Sequence, residues 1–89
     1  MIADQDIEII RQTSRKYALK RVLLFGSAAH SAAMPRDIDL AVEGLDPRRF
    51  FQFYGDLLFA LSLPVDVFDL SQPGRFADLV RQEGVPIYG

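Results

Sequence analysis

Cysteine is absent from the 89 residues, which excludes a disulfide framework and any thiolate metal site and suits a reducing compartment. A single histidine, His30, excludes imidazole-rich zinc sites in the same way. Positive charge is also scarce: Lys and Arg number 10 against 12 Asp and Glu, a formal net charge of −2. A domain that gripped nucleic acid by neutralising phosphates would carry the opposite balance, so direct nucleic-acid binding is not expected. No apolar run approaches the roughly 20 residues of a membrane span. The start, Met1-Ile2-Ala3-Asp4-Gln5-Asp6, places acids where a secretory leader carries positive charge. A cytoplasmic location without membrane contact is the expectation. Repeats, low-complexity tracts and linkers are missing too, so residues 1–89 read as one domain.

What is there is an alternation of helical and extended patterns. Ile7, Ile10, Ser14 and Tyr17 mark one face of a first helix, with Asp4 and Asp6 at its start and Arg15 and Lys16 at its end. The apolar run Arg21-Val22-Leu23-Leu24-Phe25, stopped by Gly26-Ser27, suits a strand buried on both faces. Small residues from Ala28 to Ala33 favour a short helical turn before Pro35. The segment Asp37-Ile38-Asp39-Leu40-Ala41-Val42-Glu43 alternates with period two and is the clearest strand. Asp46-Pro47 then caps and opens a helix reaching about Ser62, with Phe50, Phe53, Tyr54, Leu57, Leu58 and Leu61 as its core stripe. Phe51 and Phe59 lie beside that stripe, a surplus that suggests a protein interface as readily as core.

Pro64 separates this helix from a third strand, Val65-Asp66-Val67-Phe68-Asp69-Leu70, in which Val65 and Val67 share one face and Asp66 and Phe68 the other. Ser71-Gln72-Pro73 launches a last helix with Phe76, Leu79 and Val80 inward and Gly84 at its end, and Val85-Pro86-Ile87-Tyr88 adds a short edge strand. The order is that of an α/β sandwich with a small sheet.

Three acids and one turn carry the chemistry. Asp37 and Asp39, two apart on a strand, point the same way with Cα atoms about 6.5–7 Å apart, so both carboxylates reach one site. Two unpaired anions side by side repel, which makes a cation their natural partner. Oxygen ligands without Cys or His select a hard ion, Mg²⁺ or Mn²⁺, which completes its shell with water and phosphate oxygens. Asp66 joins the cluster if its strand neighbours theirs, and a third carboxylate there also accepts the proton of an attacking hydroxyl. Asp69 is an alternative whose ordinary role is to cap the following turn. Gly26 and Ser27, between a strand and a helix, offer backbone N–H groups and a hydroxyl to terminal phosphates. Together these residues describe a site for a metal-bound nucleoside triphosphate.

The run Leu24-Phe25-Gly26-Ser27, then Asp37-Ile38-Asp39-Leu40-Ala41-Val42, then Val65-Asp66-Val67-Phe68, resembles the nucleotidyltransferase superfamily with a DNA polymerase β-like core. More narrowly it is similar to the minimal nucleotidyltransferases, antitoxin partners of HEPN-domain ribonuclease toxins. The resemblance implies a nucleotidyltransferase-fold two-layer sandwich with a small mixed sheet. It also implies a phosphate turn at Gly26 and Ser27, and metal-binding catalytic carboxylates at Asp37, Asp39 and Asp66. The implied reaction is transfer of AMP from ATP to a tyrosine hydroxyl of the partner toxin, dependent on Mg²⁺ or Mn²⁺, within a homo- or hetero-oligomer. Two alternatives accompany it: an antitoxin with weakened catalysis that neutralises its toxin by binding, and a small-molecule nucleotidyltransferase. One departure motivates the first. Family members commonly continue the glycine-serine pair with Arg-Ala-Arg-Gly, whereas Ala28-Ala29-His30-Ser31 follows here and the intervening segment is about one residue short. His30 is expected at the surface and not in catalysis.

Overall fold

A computed structural model describes residues 2–30 and 35–89, and the small-residue segment 31–34 lies outside the described residues. The elements run α1 (Asp4–Lys16), β1 (Arg21–Phe25), α2 (Ser27–His30), β2 (Ile38–Glu43), a 3₁₀ turn (Pro47–Arg49), α3 (Phe50–Ala60), β3 (Val65–Asp69), α4 (Arg75–Glu83) and β4 (Val85–Tyr88). The radius of gyration is 12.0 Å, that of a folded chain of this length. No described helix is long and apolar enough to cross a membrane.

The strands form one mixed sheet in the order β3-β2-β1-β4, with β1 antiparallel to both β2 and β4 and β2 parallel to β3. The period-two pattern of β2 sends Ile38, Leu40 and Val42 to one face, where they are fully buried with Val22, Leu24, Val65 and Val67. Helices α1 and α3 cover that face through Ile7, Ile10, Tyr17, Phe53 and Leu57. Tyr17 and Phe53 meet edge to face, with ring centroids 5.4 Å apart. A side-chain staple ties the two helices together: Asp6, buried in the first turn of α1, accepts hydrogen bonds from the Ser62 backbone N–H at 3.1 Å and the Ser62 hydroxyl at 2.5 Å.

The opposite face is covered by α4 alone, through a narrow strip made of Leu23, Ala41, Leu70, Ala77 and Val80. Gly84 makes the close approach possible, because a Cβ there would stand 2.6 Å from the Val80 carbonyl oxygen and 3.1 Å from Leu23 Cβ. The expected inward stripe of α4 is corrected in part. Val80 is buried, but Ala77 replaces Phe76 and Leu79, both of which remain half exposed. The small Ala77 side chain lets the helix axis sit close to the sheet, and that turns its larger neighbours outward.

A second correction concerns α3, which begins after the 3₁₀ turn at Phe50 and ends at Ala60, two residues short of Ser62. Phe53 and Leu57 are its buried residues, Leu61 is buried just beyond it, and Phe50 and Tyr54 are partly covered. Leu58 is exposed, because α3 packs on one side only, against α1 and the sheet. Phe51 and Phe59, at 85% and 95% exposure, contribute nothing to the core. Gly55 has open space around it, so it permits no close approach within this chain.

Candidate active site

Asp39 and Asp66 lie on the α4 side of the sheet, on the part of that face that α4 leaves uncovered, and Asp37 stands just before the strand that carries Asp39. Asp39 on β2 is in register with Asp66 on the parallel β3 and with Phe25 on the antiparallel β1. Asp37 precedes β2 and is exposed, Asp39 is partly buried and Asp66 is exposed. The pairing is anchored where the strands begin, by the Ile38 N–H donating to the Pro64 carbonyl at 2.8 Å. The hydrophobic alternation of both strands therefore fixes the acids on the same side: Ile38, Leu40, Val65 and Val67 face the core, and the residues between them cannot.

Gly26 closes the site from β1. Its φ of +69° is a left-handed conformation, and a Cβ built on it would collide with Asp39 Oδ2. The glycine is thus required twice, by the backbone bend and by the carboxylate packed against it. Ser27 opens α2 and is exposed next to this turn. Ala28 points the other way and is 1% exposed within the core. A long cationic side chain at that position would start in the core, so in this chain position 28 does not front the site. The His30 side chain lies outside the described residues.

Burial comes first among the causes that push the Asp39 carboxyl above the usual carboxylate range, followed by the negative charges of Asp37 and then Asp66. No lysine or arginine compensates: the ion pairs among the described residues join Arg21 and Arg81 to Glu43, Arg48 to Asp46 and Lys16 to Asp56. On β3, the Tyr54 hydroxyl reaches from α3, donating to the Val65 carbonyl at 2.8 Å and to Asp66 Oδ1 at 3.2 Å. Desolvation first, then the hydrogen bond to Asp66 and its charge, raise the Tyr54 pKa and keep the hydroxyl a donor at neutral pH. Asp69 takes the ordinary role available to it, accepting from the Ser71 N–H at 2.8 Å in the turn after β3.

Oxygen donors, partial burial and uncompensated charge at Asp39 fit a hard divalent cation. Among the described residues no three acidic or imidazole side chains close around a single point, so an ion here would draw its remaining ligands from water or substrate.

Sequence reasoning did not find the Tyr54 contact, because nothing in the spacing of a helix and a strand joined by a turn reports which hydroxyl reaches which carboxylate. It also missed the Arg49 guanidinium stacked 4.2 Å from the Tyr17 ring centroid, whereas Arg48 beside it pairs with Asp46 in solvent.

This mixed sheet, with a glycine-serine turn after its first strand and acids on the next two, is the arrangement of a nucleotidyltransferase domain. The chain belongs to the polymerase beta nucleotidyltransferase family, whose model matches residues 8–89. Among solved structures, it is similar to one described as a toxin-antitoxin with AMP-PNP, at 28% identity and a TM-score of 0.76, covering 93% of this chain and 73% of that one. It is also similar to the toxin-antitoxin MntA-HepT, at 26% identity and a TM-score of 0.73, covering 98% and 73%. A protein from Shewanella oneidensis shares the fold at 22% identity and a TM-score of 0.69, covering 98% and 73%. No curated protein matches the chain.

Proposed function

We propose that this chain is the nucleotidyltransferase antitoxin of a toxin-antitoxin pair, and that it transfers AMP from ATP to a tyrosine hydroxyl of a cognate HEPN-type ribonuclease toxin. The observation that carries the reading is the row formed by Gly26, Asp39 and Asp66, in which a glycine without room for a side chain abuts an uncompensated carboxylate paired in register with a second. The similarity to toxin-antitoxin structures, one with AMP-PNP, supports the partner and the nucleotide.

Asp37, Asp39 and Asp66 would hold Mg²⁺ or Mn²⁺ between them, each ion taking fewer than three of these carboxylates and filling its shell with water and phosphate oxygens; when bound, the metal would supply neutralisation of charge on the triphosphate oxygens. The Gly26 turn and the Ser27 hydroxyl receive the terminal phosphates through N–H and O–H donors. Asp66 accepts the proton of the attacking hydroxyl as its oxygen bonds to the α-phosphorus, and the bond from that phosphorus to pyrophosphate breaks. The exposed Phe51, Leu58 and Phe59 side of α3 offers apolar area that a protein acceptor would cover.

One experiment addresses the reading. Asp39→Asn preserves shape and removes charge, so the variant should fold, with an unchanged circular dichroism spectrum, and lose AMP transfer. Full transfer by that variant would remove the mechanism. The buried methyl of Ala28, which fronts no phosphate, favours one second reading: neutralisation of the toxin by binding alone, with little chemistry. Tight binding of the toxin with no covalent adduct in the presence of ATP and Mg²⁺ distinguishes it.

A further inference from the structure

Three phenylalanine rings stand against one another on the sheet face that bears the acids. Ring centroids are 5.4 Å apart for Phe25 and Phe68, 5.8 Å for Phe25 and Phe76, and 5.3 Å for Phe68 and Phe76. Phe25 pairs directly with Asp39 across the strands, and Phe68 follows Asp66 by two residues on the same face. The rings therefore form a wall along one side of the acid row. A cleft of about 290 Å³ opens beside this wall, lined by Phe25, Gly26, Phe76, Leu79, Val80 and Glu83. Gly26 belongs to both the cleft and the candidate phosphate turn.

Packing of α4 on Ala77 turns Phe76 and Leu79 outward, but nothing in the packing requires them to be apolar. Leu23, Ala41, Leu70, Ala77 and Val80 already pack the α4 face, yet Phe68, Phe76 and Leu79 keep 41%, 51% and 50% of their surface in water. Contiguous apolar surface left in solvent beside a polar site marks a binding surface.

We infer that the wall of Phe25, Phe68 and Phe76 seats the base of the nucleotide whose phosphates lie at Gly26 and Ser27. This rests on the nucleotidyl-transfer reading and adds to it the origin of base recognition. The chemistry matches, because a nucleobase presents a flat π-face to exposed phenyl rings and a polar edge to water. The size matches as well: ligand clefts span about 300–1,000 Å³, and one at the bottom of that range takes a ring system but not a helix or a folded peptide. The position matches because Phe68 stands two residues beyond Asp66 on the same face of β3, on the side of the α-phosphorus to which ribose and base are joined. Recognition by stacking ranks bases by ring area, so purine nucleotides bind more tightly than pyrimidine nucleotides while ATP and GTP bind alike.

The test is a calorimetric titration of Mg²⁺-ATP and of Mg²⁺-tripolyphosphate, which has no base, into the wild-type chain and into Phe76→Ala and Phe76→Trp. Phe76 is half exposed, so its replacement should leave the fold intact, and a melting curve on each variant checks this. Phe76→Ala should weaken ATP about tenfold and leave tripolyphosphate unchanged, and Phe76→Trp should restore ATP binding. Equal ATP affinity in wild type and Phe76→Ala overturns the proposal, as does a parallel loss of tripolyphosphate, which would report a distorted turn. Loss of toxin affinity with ATP binding intact overturns it too, by assigning the wall to a protein contact. Failure of the wild-type chain to bind either probe removes the nucleotide site itself, an outcome distinct from failure of the base seat alone.

Discussion

The Tyr54 hydroxyl donates to Asp66 Oδ1 at 3.2 Å while holding the Val65 carbonyl at 2.8 Å, so a residue of α3 fixes the side chain of the edge-strand carboxylate. Among the described residues the Asp66 carboxylate accepts no other side-chain hydrogen bond. Tyr54→Phe keeps the ring on the core and removes only this restraint. The net worth of one hydrogen bond is about 0.5–1.5 kcal/mol, equivalent to a roughly 2–10-fold change in rate if the restraint is felt at the transition state. Single-turnover transfer should slow by that factor in Tyr54→Phe with the KM for ATP unchanged. A purely structural hydrogen bond would lower the melting temperature and leave the rate constant alone.

The position of Gly26 against Asp39 gives a sharper outcome. Alanine at 26 must adopt a left-handed conformation costing roughly 1–2 kcal/mol, and its methyl displaces the Asp39 carboxylate. Gly26→Ala should therefore lower stability by at least that amount in urea unfolding. It should also abolish Mg²⁺-ATP binding in calorimetry, including under conditions where the variant is fully folded.

The pH dependence of the chain without metal follows from Asp39. Its carboxyl is raised in the folded state, so between the unfolded and folded values the native protein holds more protons than the unfolded chain. The stabilisation is fully present below the unfolded value, near 3.9, and is lost as pH rises through the folded value. Asp39→Asn should consequently be more stable than wild type at pH 7 and lose this advantage toward acid. Added Mg²⁺ should raise the melting temperature of wild type at pH 7 and leave that of Asp39→Asn unchanged. Chemical denaturation at pH 4 and pH 7, with and without Mg²⁺, measures all of this.

Two contacts away from the site test the scaffold. Phe53 is fully buried against Tyr17, and Phe53→Ala should cost about 3–5 kcal/mol. Asp6→Ala leaves the Ser62 N–H and hydroxyl without their acceptor and should cost about 1–3 kcal/mol. Urea titration separates these losses from Phe59→Ser, whose side chain is 95% exposed and whose substitution should change stability by less than about 0.5 kcal/mol.

Much of this was legible in the amino-acid order, for a physical reason. Alternation of period two in residues 38–42 assigns Asp39 to the face opposite Ile38 and Leu40, and the same rule assigns Asp66 opposite Val65 and Val67. A strand's side-chain direction is a local property, so it can be read locally. Which flank of an amphipathic helix turns inward depends on the width of the surface it meets, and local order does not carry that. For this reason Phe76, Leu79 and Leu58 were expected inside and stand in water, and the strip that α4 covers is centred on Ala77. The Tyr54 to Asp66 contact and the phenylalanine wall are products of tertiary packing. The placement of Phe68 on the Asp66 side was nevertheless visible in the alternation.

The most direct measurement is the intact mass of the cognate toxin after incubation with this chain, ATP and Mg²⁺. The account predicts a covalent AMP adduct on a toxin tyrosine with the wild-type chain and none with Asp39→Asn. An unmodified toxin held in a tight complex with the wild-type chain, or an undiminished adduct with Asp39→Asn, would contradict it.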